Sequence, residues 1–325
     1  KVYIAVLSKN IDKSLKKKIN ENKNIEILNL FFQNRMNLLN ILKFIFIVKK
    51  TRSNTIMSFD NTSNFYAYLY TIFFNIKWIS SIHGLEGAFT KKWIFINKII
   101  FKKSLNCIVI SKAVRNKVIK YNLIKRSKLN LVYNGVTVQK KPLDRKFDNE
   151  IKFCLIGNFY SETIKGHYIA IDALKYLPNN FSLILIGSGK YKNKFNEYVE
   201  LNNLNNQVKF EGFCTPKKIA EVLKSVRCLV APSKTEAFGI SIIESMSYGI
   251  PVIANKIGGI PEIIKNNHNG ILLDNISPKR LAKAITFLAN NTDINRQYGN
   301  AAFQDINNKF NIKNMLDSYD QIINY

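Results

Sequence analysis

Short apolar runs rich in Val, Ile and Leu alternate along the chain with stretches whose apolar residues recur at helical spacing. In the first half the runs are "VYIAVLS", "IEILNLF", "NTIMSFD", "KWISSIHG", "LNCIVIS" and "LNLVYNGV". Strand, helix, strand repeated in this way predicts a parallel sheet covered by helices on both faces. A polar stretch, "KKPLDRKFDNE" at 140–150, interrupts the rhythm. It then restarts with "IKFCLIGNF", "FSLILIGSG", "QVKFEGF", "RCLVAPS" and "IPVIANK". Two successive doubly wound α/β domains joined near residues 137–150 are expected. A cleft would lie between the carboxyl ends of their sheets, the edge where open α/β sheets bind ligands.

The length of 325 residues and the 46% hydrophobic content suffice for two cores. Cys107, Cys154, Cys214 and Cys228 are scattered and read as small buried residues in a reducing compartment, and three histidines argue against a His-rich metal site. The charge changes the picture more. Residues 1–140 hold 26 Lys or Arg against 5 Asp or Glu, whereas the remainder holds 23 against 17. AT-rich coding explains much of the lysine but not that asymmetry, which points to a polyanionic partner on the first half. The start, "KVYIAVLS" followed by "KNIDKSLKKK", does not read as a signal peptide. "LLNILKFIFIV" and "FYAYLYTIFF" fall short of the roughly 18 to 20 residues a spanning helix needs. The expectation is a cytoplasmic protein that lies on a membrane surface without crossing it.

Candidate chemistry gathers in the second half. Gly157 ends a strand, and the loop after it delivers Lys165 just before a helix. Gly187 and Gly189 end the next strand, where a ligand could approach the backbone closely. In "TEAFGISIIE" Gly239 opens a helix, so the N–H groups of Ile240 and Ser241 should point outward unpaired and suit a diphosphate. Glu236 precedes that start and Glu244 lies one turn inside it. Two hydroxyl-binding carboxylates flanking a diphosphate describe a nucleotide sugar. The plain alternative makes Glu236 a favourable charge near a helix start and Glu244 a solvated helix residue.

The wider context is "PSKTEAFGISIIESMSYGIPVIA", "GGIPEII" and "NGILL", preceded by "GNFYSETIKGH", "LILIGSG", "VISKAVR" and "VYNGV". In this ordered set, over roughly residues 77–325, the chain resembles the retaining glycosyltransferases of family 4. Their fold is GT-B, two Rossmann-like domains facing across a cleft. The resemblance implies an N-terminal acceptor domain over 1–145 and a C-terminal nucleotide-sugar domain over 146–307. A last helix, about 308–325, would pack back on the first domain. It implies that Glu236 contacts the donor sugar near the reacting carbon, that Glu244 holds the ribose, and that Lys165 neutralises the diphosphate. Ile240 and Ser241 supply the helix-start donors, beside Phe238 and Gly239, and His83, closing "WISSIHG", contacts the sugar from the first domain. Two positions depart from the family. Asn158 stands where an arginine usually follows Gly157, and "SKNIDKSLKK" replaces a glycine-rich loop after the first strand.

The implied activity is retaining transfer of a hexose or N-acetylhexosamine, with front-face attack, from a nucleotide sugar. UDP is the commonest nucleotide in related enzymes. The absence of an Asp-x-Asp motif suggests transfer without a metal or other cofactor. The acceptor would be a glycan or lipid-linked glycan of cell-surface polysaccharide or lipopolysaccharide. "AFTKKWIFINKIIFKK", with Phe89, Trp93, Ile96 and Ile100 at helical spacing among lysines, reads either as an interfacial helix on an anionic membrane or as a core helix flanked by solvated lysines. No nucleic-acid module is recognisable. The competing readings are a nucleotide-sugar epimerase or polysaccharide synthase of the same fold, and a non-catalytic basic surface-binding protein.

Overall fold

The computed structural model of the chain describes residues 1–7, 16, 19, 21–30 and 37–324. The glycine-free segment 8–17 singled out above lies, Lys16 apart, outside the described residues. The described chain divides into two compact units. The first takes in the residues up to Val109 and Arg115–Leu131, the second Ile110–Val114 and the residues from Val132 on.

In the first unit β1 (Val2–Val6) pairs in parallel with β2 (Ile25–Asn29). A separate four-stranded parallel sheet has the order β3 (Thr55–Ser58), β4 (Lys77–Ile82), β5 (Asn106–Val109), β6 (Leu129–Leu131). The expected single sheet is therefore two hydrogen-bonded pieces among the described residues. Helices α1 (Leu38–Thr51), α2 (Asn61–Phe73) and α3 (Lys91–Ile100) follow one another, with α2 packed against both others. Phe44 and Val48 of α1 meet Tyr66 and Tyr70 of α2 in a small core. The row Phe89, Trp93, Ile96, Ile100, which begins in the turn before α3, faces inward: Phe89 and Ile100 are buried and the other two partly so. The core-helix reading of that row holds, because the row is the side of α3 turned toward α2 and the short turns that flank it.

The second unit is a six-stranded parallel sheet, built from β7 (Ile151–Ile156), β8 (Phe181–Ile186), β9 (Val208–Gly212), β10 (Val226–Ala231), β11 (Val252–Asn255) and β12 (Gly270–Leu273) in the order β12-β11-β10-β7-β8-β9. Strands such as β8, "FSLILI", are apolar on both faces, as strands covered on both sides must be. β12 was not among the expected strands; its four residues were legible only as part of a motif. The chain builds outward from β7 to β9, then returns to the other side of β7 with β10. The sheet's topological switch point therefore lies between β7 and β10, where the crevice of a doubly wound sheet opens.

The polar stretch at 140–150 is fastened to this unit, which explains a boundary at 131/132 rather than at the expected 145/146. Leu143 N–H donates to the Tyr248 carbonyl at 2.9 Å and Lys146 N–H to that of Lys224 at 3.1 Å. Arg145 donates to Asn295 Oδ1 at 2.6 Å, and the Arg227 guanidinium lies over the Phe147 ring at 3.7 Å. The last two helices, Thr292–Lys309 and Ile312–Asn324, also fall in the second unit, where Ile312 N–H donates to the Val136 carbonyl at 3.0 Å. All four cysteines are free and buried, and burial pushes the thiols of Cys107 and Cys228 up to about 12. Among the described residues, no helix is long and apolar enough to cross a membrane.

Candidate active site

Two loops meet at the switch point. The one after β7, residues 157–166, ends at Gly166, the N-cap of α5 (His167–Ala173), with φ +71°. A β-carbon on Gly166 would stand 2.1 Å from the Pro232 carbonyl oxygen, so only glycine lets this loop reach the end of β10. Lys234 N–H then donates to the Ile164 carbonyl at 2.8 Å. Tied together in this way, the loops bring Lys165 Nζ to 2.7 Å from Glu236 Oε2, with side chains 24% and 15% exposed. The two residues expected to act on donor diphosphate and sugar are thus direct partners.

Around this pair the other candidates take distinct places. Gly157 N–H donates to the Ile186 carbonyl at 2.9 Å. A β-carbon on Gly187 would lie 1.9 Å from the Gly157 oxygen, and one on Gly189 would lie 2.3 Å from the Phe159 carbonyl carbon. The close approach these two glycines permit is therefore to the neighbouring loop, which they hold in place. Asn158 Oδ1 accepts from Tyr160 N–H at 3.2 Å, an Asx turn that spends its side chain on its own loop. Gly239, with φ +117°, opens the helix Ile240–Ser247 without a side-chain cap, leaving the first-turn N–H groups of Ile240 and Ser241 without a helix carbonyl. Glu244 is exposed on that helix, and the protein around it raises its carboxyl above the ordinary carboxylate value by desolvation. Phe238 is a buried anchor rather than a lining residue. It stacks on Tyr133 at 5.7 Å and meets Phe310 edge-on at 5.6 Å.

Residues that sequence reasoning passed over hold the Glu236 loop from behind. Gly259 N–H donates to the Glu236 carbonyl at 3.0 Å. Glu262, three residues on, accepts from the Lys112 and Ala113 N–H groups at 2.8 and 3.0 Å and from the Tyr133 hydroxyl at 3.0 Å. That carboxylate thereby fixes the ring on which Phe238 stacks. The motif "GGIPEII" carried the signal for both Gly259 and Glu262, although not their partners.

His83 belongs to the first unit, at the end of β4. Its Nε2 lies 2.9 Å from Ser81 Oγ. The Ser81 hydroxyl donates to the Ser58 carbonyl at 2.9 Å, so its oxygen is left to accept and the His83 Nε2 carries the proton. The Asn64 amide in turn donates to the Ser81 carbonyl at 3.0 Å, and Trp78 Nε1 donates to Ser58 Oγ at 2.7 Å. Burial lowers the His83 pKa below the ordinary histidine value, against the opposing charge of Asp60. The neutral ring therefore presents a free Nδ1 acceptor.

Comparisons with known proteins give the family and the fold. The sequence profile of Glycosyltransferase Family 4 matches residues 4–140, and that of Glycosyl transferases group 1 matches residues 139–305. The uncharacterized glycosyltransferase MJ1069 of Methanocaldococcus jannaschii is 28% identical over 321 residues, covering 92% of this chain and 78% of the relative. A poly(ribitol-phosphate) alpha-N-acetylglucosaminyltransferase of Staphylococcus aureus is 27% identical, covering 63% of this chain and 46% of that protein. The crystal structure of Anabaena HepE in complex with UDP and glucose matches with a TM-score of 0.85 at 17% identity, covering 99% of this chain and 92% of HepE. That likeness shows the fold, which is GT-B. With a profile match that spans just over half of its 325 residues and falls on the unit holding the Lys165–Glu236 pair, this chain belongs to the glycosyl transferases group 1 family.

Proposed function

We propose that this glycosyltransferase moves a hexose or N-acetylhexosamine from a UDP-sugar, with retention of configuration, to a glycan or lipid-linked glycan of cell-surface polysaccharide or lipopolysaccharide. On this reading it works at the inner face of the cytoplasmic membrane, which its basic first unit meets. The observation that carries the reading is the Lys165–Glu236 pair at the switch point, beside a helix start opened by Gly239. UDP and glucose in HepE, and the alpha-N-acetylglucosaminyl transfer named for the S. aureus relative, support the donor and stereochemical class.

In the proposed reaction the bond from the anomeric carbon to the diphosphate breaks, and negative charge grows on the leaving oxygen. Lys165 and the helix-start N–H groups of Ile240 and Ser241 stabilise that charge. Glu236 faces the sugar, orients it and offsets positive charge at the anomeric carbon without bonding to it. Glu244 accepts from the ribose hydroxyls. The acceptor oxygen attacks from the face the diphosphate leaves, its proton passing to the departing phosphate oxygen. On this reading Lys165 and the helix start take the place of a divalent metal.

The test is incubation of the full chain with isotopically labelled UDP-glucose or UDP-N-acetylglucosamine and bacterial lipid-linked glycan extracts, in the presence of EDTA. Acceptor-dependent label with the donor's anomeric configuration, read from the proton coupling at C1, is expected. Isomerised free donor without transfer would make the chain an epimerase. Failure to bind any nucleotide diphosphate in calorimetry would leave only a basic surface-binding protein.

A further inference from the structure

The helices of the first unit carry more apolar surface outward than a water-facing layer needs. On α1, Leu38, Leu39, Leu42 and Phe46 are 55% to 71% exposed, while Phe44 and Val48 face the core. This helix is apolar on both sides, which ordinarily marks a helix with something covering each face. On α2, Ile72 and Phe73 are exposed, and on α3 so are Phe95 and Ile99. Ile72, Phe73 and Phe74 also line a surface hollow of about 360 Å³ that Lys103 borders. Patches of this kind on adjoining helices mark interaction sites.

Charge identifies the occupant. Residues 38–103 contain ten Lys and Arg, and Asp60 and Glu86 are their only acids. The lysines stand among the rings: Lys50 Nζ lies 4.3 Å from the centre of exposed Phe46 and Lys49 Nζ 5.5 Å from that of half-buried Phe74. Two copies of such a face would repel each other. An anionic bilayer complements both of its properties, because headgroup phosphates meet the lysines and the acyl boundary accepts the leucines and phenylalanines. At 14 residues α1 is too short to span, so it would lie in the interface.

We propose that the outward faces of α1, α2 and α3 dock on an anionic lipid surface, with Leu38, Leu42 and Phe46 in the acyl boundary and Lys49, Lys50, Lys91 and Lys98 on the phosphates. The row is not the one the sequence suggested on α3, which is spent on the core. This inference deepens the membrane partner of the proposed function but stands on the first unit alone, and it survives a wrong donor or acceptor.

The experiment is co-sedimentation of the full chain with sucrose-loaded vesicles of phosphatidylcholine, with and without phosphatidylglycerol, at low and high salt. Leu42→Ser/Phe46→Ser and Lys49→Gln/Lys50→Gln/Lys98→Gln are run in parallel. Wild type should bind only the phosphatidylglycerol vesicles, less at high salt. Each variant should lose at least tenfold in partitioning while keeping its circular dichroism spectrum and UDP binding. Binding to neither vesicle, or variants that bind like wild type, would overturn the proposal. A concentration-dependent dimer that the same variants abolish would give the face to a second copy instead. Because vesicle binding is read without nucleotide, failure of the transferase reading would show separately, as absent UDP binding.

Discussion

Lys165 and Glu236, 71 residues apart in the chain, hold each other at 2.7 Å across the switch point of the second sheet. The lysine cannot give itself wholly to a diphosphate while it keeps this carboxylate. On the proposed reading Glu236 is also a negative charge beside the place where the donor's diphosphate binds. Removing its charge should therefore separate binding from turnover. Glu236→Gln is expected to tighten UDP binding several-fold, in line with the ~1 kcal/mol or so held in a partly exposed pair. The same variant should lower kcat by about 10²- to 10³-fold through lost stabilisation of the sugar cation. Calorimetry and initial rates on the one variant decide the matter. UDP binding weakened in step with kcat would mean that the pair is a structural brace and nothing more.

Glu244 gives a pH signature. Its carboxyl titrates above the ordinary carboxylate value, so it loses charge earlier as pH falls than an unperturbed glutamate does. If the ribose hydroxyls donate to it, UDP affinity should decline as pH falls through the region just above the usual carboxylate range. Glu244→Ala should bind UDP about 10- to 100-fold more weakly at neutral pH, the range for a hydrogen bond to a charged group. Its binding should be flatter across the same pH interval. An unchanged wild-type pH profile in the variant would remove Glu244 from the site.

The Ser81 hydroxyl sets the His83 tautomer, and this is directly observable. Three histidines, His83, His167 and His268, make the imidazole carbon spectrum short enough to assign. In wild type, His83 should show the Cδ2 shift of an Nε2-protonated ring. In Ser81→Ala that shift should move toward the other tautomer, and turnover should drop about fivefold to tenfold, the measure of one ordinary hydrogen bond. Ser81→Thr should restore both, whereas His83→Ala should cost more than either. A Cδ2 shift identical in wild type and Ser81→Ala would refute the assignment.

His167 links stability to pH. It is fully buried between Phe159, at 4.9 Å, and Phe195, at 4.6 Å, and burial pushes its ring down to about 4 from an ordinary 6.5. The unfolded chain therefore takes up a proton below pH 6.5 that the folded chain refuses until about pH 4. Stability contributed by the neutral ring is present above pH 6.5 and is lost as pH falls toward 4, by about 3 kcal/mol over the whole interval. Urea unfolding at a series of pH values should show this slope in wild type and a shallower one in His167→Gln. Parallel slopes would place the pH dependence elsewhere.

The parts of the site that the sequence disclosed are those fixed by local chemistry. Gly187 stands at a strand end where a β-carbon would strike the neighbouring loop's backbone, Gly239 opens a helix at a φ that other residues rarely adopt, and a run such as "FSLILIG" announces a doubly covered strand. What stayed hidden depends on long-range order. That Lys165 meets Glu236 follows only once β10 returns beside β7, and strand order leaves no mark in periodicity. Phe238 reads as a site residue until Tyr133 and Phe310 claim its ring. On α3 lysines and apolar residues are interspersed, so the pattern could not say which apolar row would turn inward.

The four cysteines, unremarkable as packing, make the molecule convenient to instrument. Each is buried, and desolvation holds each thiol in its unreactive protonated form, so a maleimide or a spin label should find little to attack. A cysteine placed at an exposed position such as Phe46 would then be the one site that takes a probe, with no background to engineer away. Fluorescence or spin relaxation from that position would report depth of immersion residue by residue along α1.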